Sequence, residues 1–117
     1  KALIFRRDKL EKGEYALDGI VAAVKDLLSA VQKDMLEAAR ARRDRRIVYA
    51  NDVAGILKGV EGANFVKAGW CGCRECEDKI KAETAATARV YAEGETAETC
   101  AVCGKKAEHV VIFARAY

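Results

Sequence analysis

The distribution of the cysteines constrains this sequence more than any other feature. The chain contains five cysteines, and all of them lie between Cys71 and Cys103. One group is Cys100-Ala101-Val102-Cys103-Gly104, a C-x2-C pair followed by glycine. Such a pair is typical of a zinc knuckle, because a tight turn directs two thiolates at one ion and glycine tolerates the required backbone conformation. The spacing therefore predicts a metal-binding turn at this point.

The second cysteine group offers two registers for the same ion. Cys73 with Cys76 gives a second C-x2-C pair, whereas Cys71 with Cys76 gives C-x4-C, and both spacings occur in zinc sites. Cys76, Cys100 and Cys103 belong to either register. Spacing alone favours Cys73 but leaves Cys71 open as the fourth ligand. Four thiolates leave no open position on the ion, so the predicted site is structural rather than catalytic.

A packing role or a redox role accounts for the cysteines less well than a metal site does. Small buried residues would not be expected to cluster in pairs, and a redox dithiol needs only one pair, in a thioredoxin-like context that this sequence lacks. The segment Lys1–Arg7 reaches charged residues too early for a secretory signal, which favours a metal site over disulfides. His109 opens a predicted strand, where we expect a surface or hydrogen-bonded residue rather than a ligand.

Composition excludes several classes of protein. Hydrophobic residues make up 51% of the chain and charged residues 33%, which is enough for a packed core. The longest apolar runs, Ile20–Val24 and Val110–Ala114, are far shorter than the ~20 residues of a membrane span. The net charge of +3 is too small to predict nucleic-acid binding by itself. No phosphate-binding glycine loop and no nucleophile–histidine–acid set occurs, so we predict no reaction for this chain alone.

Residues 1–43 read as a strand followed by one long helix. The strand is Ala2–Phe5, with a turn near Gly13, and Asp18 is the expected N-cap of the helix. A helix that runs to Arg43 would be about 39 Å long. Its apolar residues recur at spacings of three and four, which predicts one face directed at a core. These residues are Leu17, Ile20, Val21, Val24, Leu27, Leu28, Val31 and Met35.

The sequence pattern of residues 44–117 predicts an α+β domain with the element order β-α-β-α-β-β. In this fold one mixed sheet forms a layer against two helices. The first helix is capped by Asn51 or Asp52 and ends at Gly59 or Gly62. The second helix is predicted at Glu75–Glu83. The predicted strands are Ile47–Tyr49, Asn64–Trp70, Thr87–Tyr91 and Val110–Tyr117.

A dense basic run lies where the two regions meet. It consists of Arg40, Arg42, Arg43, Arg45 and Arg46. A solvated, cationic helix C-terminus explains this run, because basic side chains are favourable at the negative end of the helix dipole. The alternative is a phosphate contact, for which RNA is the expected partner.

From the cysteines onward the chain resembles the C-terminal part of prolyl-tRNA synthetases of the archaeal and eukaryotic type. The matching segments are Trp70–Gly72, Glu75–Glu77, Ile80–Thr84, Ala86–Arg89, Cys100–Lys105 and Val111–Tyr117. Upstream, Phe5–Asp8 and the long helix are similar to the last strand and helix of the synthetase's anticodon-binding domain. The resemblance therefore implies that residues 1–43 end an anticodon-binding domain and that residues 44–117 form a C-terminal zinc-binding domain.

The resemblance also implies a set of functional residues. The ligand pattern of the family, C-x4-C followed by C-x2-C, selects Cys71, Cys76, Cys100 and Cys103 for Zn²⁺ and leaves Cys73 as an extra thiol. The terminal carboxylate of the family is directed toward its catalytic domain, which makes Tyr117 the corresponding residue here.

The parent enzyme that the resemblance implies is a class II synthetase. Such an enzyme joins proline to tRNA-Pro with ATP and Mg²⁺, and it works as a homodimer in the cytoplasm. This chain has no catalytic domain, so we expect it to have a structural role and to continue before Lys1 in its parent. Two rival hypotheses are a free-standing zinc ribbon that binds nucleic acid through the arginine run, and a protein-interaction domain with an exposed apolar face on the helix of residues 18–43.

Overall fold

The structure is a computed structural model of the 117-residue chain, and it describes residues 1–116. The backbone divides into two compact units, Lys1–Asp44 and Arg45–Tyr117. Among the described helices, none is both long enough and apolar enough to cross a bilayer. The position predicted for the carboxylate of Tyr117 lies outside the described residues.

The first unit contains a hairpin that the sequence predicted only in part. Strand β1 (Ala2–Arg6) pairs in antiparallel register with β2 (Glu11–Tyr15). Gly13 lies inside β2 opposite Ile4, so the predicted turn near Gly13 was wrong. The reversal occurs before β2, where Leu10 takes a φ of 58°. Charged residues and glycine are uncommon in strands, and pairing with β1 overrides that preference.

Charged side chains of the hairpin bind the helix α1 (Ile20–Arg45). The Arg6 guanidinium lies 2.6 Å from Asp8 Oδ2 and 2.9 Å from Asp34 Oδ2, and Lys9 Nζ lies 2.9 Å from the same Asp34 oxygen. The hydrogen bonds from Lys9 and Arg6 hold the pKa of Asp34 below its usual range, and those to Asp8 and Asp34 raise the pKa of Arg6. Ion pairs therefore join the hairpin to the helix of this unit, beside half-buried apolar residues such as Ile4 and Leu27.

The apolar face of α1 does not form the core that the sequence predicted. No residue of α1 is buried, and Val21, Leu28 and Met35 are 67%, 64% and 59% exposed. The physical reason is that a two-stranded hairpin covers only part of a wide apolar stripe. The predicted N-cap also shifts by one residue: the Gly19 carbonyl accepts the first helical hydrogen bond, from Ala23 N, so Gly19 rather than Asp18 is the N-cap.

The second unit has the predicted α+β fold, with the element order β-α-β-α-β-β. Its elements are β3 (Ile47–Tyr49), α2 (Val53–Glu61), β4 (Phe65–Trp70), α3 (Arg74–Thr84), β5 (Ala86–Tyr91) and β6 (His109–Arg115). The strands lie in the order β3-β4-β6-β5. The sheet is mixed, because β3 and β4 are parallel whereas β6 is antiparallel to both β4 and β5.

The core of the second unit lies between one face of this sheet and the helices α2 and α3. The Asp52 side chain caps α2 by accepting a hydrogen bond of 2.7 Å from Gly55 N. A Cβ on Gly59 would overlap the Val66 side chain, so a glycine is what lets α2 lie close against β4. The largest fully buried side chains are Ile56, Val66, Ile80, Thr84, Val111 and Phe113.

Part of a segment without helix or strand, residues 92–108, lies against the opposite face of the sheet at Gly69, whereas Ala101 of the same segment packs into the core. A Cβ on Gly69 would overlap the Thr99 carbonyl and would lie 3.0 Å from the Ala97 methyl group. Ala101 N donates to the Gly69 carbonyl at 2.9 Å, and Glu108 N donates to the Trp70 carbonyl at 2.9 Å. These contacts position the C-x2-C group, Cys100–Cys103, at the end of β4, directly before Cys71.

Candidate metal centre

Four cysteine sulfurs converge at one end of the sheet. The Sγ atoms of Cys71, Cys76, Cys100 and Cys103 all lie within 4.8 Å of one another. Cys71 Sγ lies 3.7 Å from both Cys76 Sγ and Cys103 Sγ. Four thiolates placed tetrahedrally at 2.3 Å from a zinc ion are about 3.8 Å apart. The observed separations fit that geometry, and they are far too long for a disulfide bond of ~2.05 Å.

The first knuckle joins β4 to α3. Gly72 takes a φ of 89°, which reverses the chain directly after Cys71. Cys76 lies in the first turn of α3 and is 7% exposed. Cys73 is the N-cap residue of α3, and its carbonyl accepts hydrogen bonds from Trp70 Nε1 at 2.9 Å and Glu77 N at 3.4 Å. The backbone of Cys73 thus shapes the knuckle without placing its sulfur among the other four.

The Cys73 side chain lies outside the four-sulfur cluster. It is exposed, and its thiol contacts the Glu75 carboxylate. The structure therefore brings together the C-x4-C and C-x2-C groups, the register that the resemblance selected. The C-x2-C register through Cys73, which spacing alone favoured, is not formed.

The second knuckle is a tight turn held by backbone hydrogen bonds. Gly104 takes a φ of 71°, and its N–H donates to the Cys100 carbonyl at 3.1 Å. Cys100 N donates to the Lys105 carbonyl at 2.7 Å, and Thr99 forms an isolated bridge with Lys106. Cys100 is 2% exposed, whereas Cys103 is exposed. The turn therefore places one thiol beneath the knuckle and the other at its surface.

The electrostatics of the four thiols favour a bound cation. Burial raises the pKa of the Cys76 thiol, and the neighbouring thiols raise it further. Burial opposes ionisation of Cys100, but hydrogen bonds from the backbone of Cys103, Val102 and Cys71 and from the Cys103 thiol together outweigh it and lower its pKa to about 7. Full ionisation of four adjacent thiols requires compensating positive charge, which a divalent ion supplies. The donor set therefore fits zinc, which sulfur ligands bind well.

The remaining predicted site residues have separate positions. Arg43 forms an ion pair of 2.9 Å with Asp44, and Arg46 donates to the Ala63 carbonyl at 3.2 Å. Arg40, Arg42 and Arg45 are exposed on α1, and an RNA contact stays a prediction for all five arginines. His109 is exposed and outside the sulfur cluster. Its ring centre lies 5.7 Å from that of Trp70 and 4.8 Å from that of Tyr91.

Sequence reasoning missed the role of Gly69. A glycine inside a predicted strand is itself a signal of close backbone approach. In the structure that approach is made by Thr99, the residue before Cys100. Gly69 therefore determines how closely the second knuckle can lie against β4.

Comparison with known proteins identifies the family. The family model described as "Prolyl-tRNA synthetase, C-terminal" matches residues 55–117. The proline–tRNA ligase of Acetoanaerobium sticklandii is 45% identical over 119 residues, which cover 99% of this chain and 25% of that protein. The proline–tRNA ligase of Cenarchaeum symbiosum is 40% identical over 116 residues, covering 99% of this chain and 24% of that protein. The chain thus spans about a quarter of the length of these relatives.

The fold also matches a solved structure. A crystal structure of prolyl-tRNA synthetase from Cryptosporidium parvum, complexed with L-proline and AMP, superposes with a TM-score of 0.90 at 24% identity. The match covers 98% of this chain and 25% of that one, and at this identity it establishes the fold alone. The family itself is established by the match over residues 55–117. The chain belongs to the prolyl-tRNA synthetase C-terminal family.

Proposed function

We propose that this chain is the C-terminal quarter of a proline–tRNA ligase, in which it acts as a zinc-stabilised structural domain. The observation that carries the proposal is the four-sulfur cluster inside the segment that matches the family. Relatives that the chain resembles along almost its whole length are named proline–tRNA ligases.

Zinc has a structural role in this proposal. Cys71, Cys76, Cys100 and Cys103 would fill a tetrahedral coordination sphere, which leaves no position for water or substrate. The ion would join the β4–α3 turn to the segment 92–108, two parts of the chain that are far apart in sequence. A small domain gains stability from such a cross-link, because a site that forms only on folding adds its binding energy to the folding energy.

The chemistry of the complete ligase belongs to other parts of the enzyme. Under this proposal a class II catalytic domain activates proline with ATP and Mg²⁺ and transfers it to tRNA-Pro, within a cytoplasmic homodimer. Residues 1–43 end the anticodon-binding domain, and residues 44–117 form the C-terminal zinc-binding domain. The role that the proposal assigns to the carboxylate of Tyr117 is to face the catalytic domain. The isolated chain would not catalyse ATP–pyrophosphate exchange, and exchange by the purified chain would contradict this division of labour.

Elemental analysis of the purified chain tests the zinc site. We expect about one zinc per chain in the wild type and in Cys73→Ser, and loss of zinc in Cys76→Ser. Cys73→Ser is the matched control, because its sulfur lies in the same turn but outside the cluster. Loss of zinc in Cys73→Ser would contradict the ligand assignment, and a metal-free wild type would contradict the zinc-stabilised domain.

A free-standing nucleic-acid-binding module stays the second hypothesis, because Arg40 and Arg42 are exposed together with the rest of the arginine run. It predicts RNA affinity that falls steeply with salt and that is lost when both are changed to alanine. Weak binding that does not depend on salt would count against it.

A further inference from the structure

The segment that leads into Cys100 has few backbone hydrogen bonds of its own. Residues 92–99, here called the strap, connect β5 to the second knuckle. At one end Ala92 N donates to the Val110 carbonyl at 2.8 Å, and Glu95 N closes a turn onto the Ala92 carbonyl at 3.3 Å. At the opposite end the Glu98 carbonyl accepts from Ala107 N at 3.2 Å. The middle of the strap therefore depends on side-chain contacts to stay on the sheet.

Glu95 supplies such a contact. Its Oε1 lies 2.8 Å from Lys67 Nζ on β4 and accepts a hydrogen bond of 3.1 Å from the Tyr49 hydroxyl on β3. Tyr49 and Lys67 are register partners in the parallel ladder, and Lys67 Nζ lies 5.4 Å from the centre of the Tyr49 ring. One carboxylate of the strap thus binds two neighbouring strands of the sheet.

The charge of Glu95 is compensated mainly by Lys67. The Lys67 side chain is only 15% exposed, and its hydrogen bond lowers the pKa of Glu95 while the pKa of Lys67 is raised. Glu95 Oε2 is buried and has no hydrogen-bond partner among the described residues. Removing Lys67 would leave this carboxylate partly buried without a counter-charge, and such a change costs more than removing both members of the pair.

The strap leads directly into the segment that carries half of the metal ligands. It runs directly into Cys100, which is buried, and Thr99 at its end lies over Gly69. Lifting of this part of the chain from the sheet would draw the buried Cys100 away from the other three sulfurs. We propose that Tyr49, Lys67 and Glu95 form a latch that holds the strap closed and thereby sets the rate of zinc release. This inference rests on the zinc site proposed above.

The test measures zinc release into an excess of a chromogenic chelator. Because a hydrogen bond to a charged group is being removed, we expect release from Glu95→Gln to be about tenfold faster than from the wild type. Lys67→Met should release zinc faster still. The double variant Lys67→Met with Glu95→Gln should release zinc at a rate close to that of Glu95→Gln alone. Tyr49→Phe, the mildest change, should accelerate release by about threefold. Glu93→Gln, an exposed acid of the same strap, should not change the rate.

A destabilised core variant separates latch opening from global unfolding. Val60→Ala leaves a cavity under α2, which packs on the opposite face of the sheet from the strap. If zinc leaves through opening of the strap, Val60→Ala releases zinc at the wild-type rate. Equal acceleration in Val60→Ala and Glu95→Gln would overturn the latch, and so would an unchanged rate in Glu95→Gln. A wild type without zinc would contradict both proposals, whereas one zinc with unchanged release contradicts the latch alone.

Discussion

Both units of this chain contain many apolar residues, but they are held together differently. In the second unit Phe113 and Ile56 are 1% and 0% exposed beneath two helices and a four-stranded sheet. In the first unit no residue of α1 is buried, and ion pairs of Arg6 and Lys9 with Asp34 join the hairpin to the helix. An isolated two-stranded hairpin is marginal in water, whereas a larger sheet covered by helices encloses a core. Apolar content alone therefore does not decide whether a region has an interior.

Removal of the metal should produce the largest difference between the two units in their stability. We expect chelation of zinc to unfold the second unit, because a structural zinc site contributes on the order of 10 kcal/mol. Trp70, the one tryptophan of the chain, donates to the Cys73 carbonyl inside the first knuckle, so its fluorescence should shift to longer wavelength. Hydrogen exchange in the β1–β2 hairpin should stay unchanged. Unfolding of the hairpin at the same chelator concentration would show that the two units are not independent.

Core truncation should have the next largest effect. Phe113→Ala should lower the free energy of unfolding of the zinc-loaded protein by about 3–5 kcal/mol, because a cavity replaces a fully buried ring. Leu28→Ala is the matched apolar change in α1, where Leu28 is 64% exposed, and we expect a change within about 0.5 kcal/mol. Denaturant unfolding followed by circular dichroism measures both. Equal losses would mean that Leu28 is buried in solution.

A smaller change tests the close approach at β4. Gly69→Ala places a methyl group against the Thr99 carbonyl, which should destabilise the second unit by about 1–3 kcal/mol and weaken zinc binding. Gly94→Ala is the control, since an added Cβ there meets nothing within 4 Å, although its φ of 76° adds some backbone strain. Zinc affinity from competition with a chelator distinguishes the two variants. Equal zinc affinity in Gly69→Ala and wild type would show that the strap tolerates displacement.

The smallest expected effect is that of low pH on the stability of the first unit. The pKa of Asp34 is depressed by Lys9 and Arg6, so its ion pairs stabilise the unit above its ordinary pKa of 3.8 and are lost as the pH falls through the lower, folded value. Hydrogen exchange of the hairpin amides should accelerate over that range. Asp34→Asn should abolish this dependence, whereas Asp26→Asn, an exposed acid of the same helix, should retain it. If hydrogen exchange in Asp34→Asn kept the same pH dependence, the effect would belong to another carboxyl group.

The sequence predicted the second unit well because its signals were local. Runs of β-branched and aromatic residues marked the strands, Asn51 or Asp52 marked a helix start that the structure places at Asp52, and paired cysteines marked the metal site. Spacing could not decide between Cys71 and Cys73, since that choice depends on α3 beginning at Arg74 with Cys73 as its N-cap. The resemblance to the synthetases supplied the register that spacing lacked.

The first unit was predicted less well for a different reason. An amphipathic helix shows that an apolar face exists, but its sequence does not show how much of that face its neighbours cover. Strand β2 is charged and contains Gly13, so only its pairing with β1 makes it a strand. The exposed face of α1 is the feature that the protein-interaction hypothesis predicted. Such errors arise wherever the structure of a segment depends on which neighbouring segments pack against it.

The position of Cys73 has a practical consequence. In the zinc-loaded protein the other four sulfurs would be occupied by the ion, whereas the Cys73 thiol is exposed at the N-terminus of α3. A maleimide dye should therefore react at one defined position without any engineered cysteine. With Trp70 close by in sequence, the dye would report by energy transfer on the movements of this turn. The extra thiol thus offers a natural attachment point for single-molecule work.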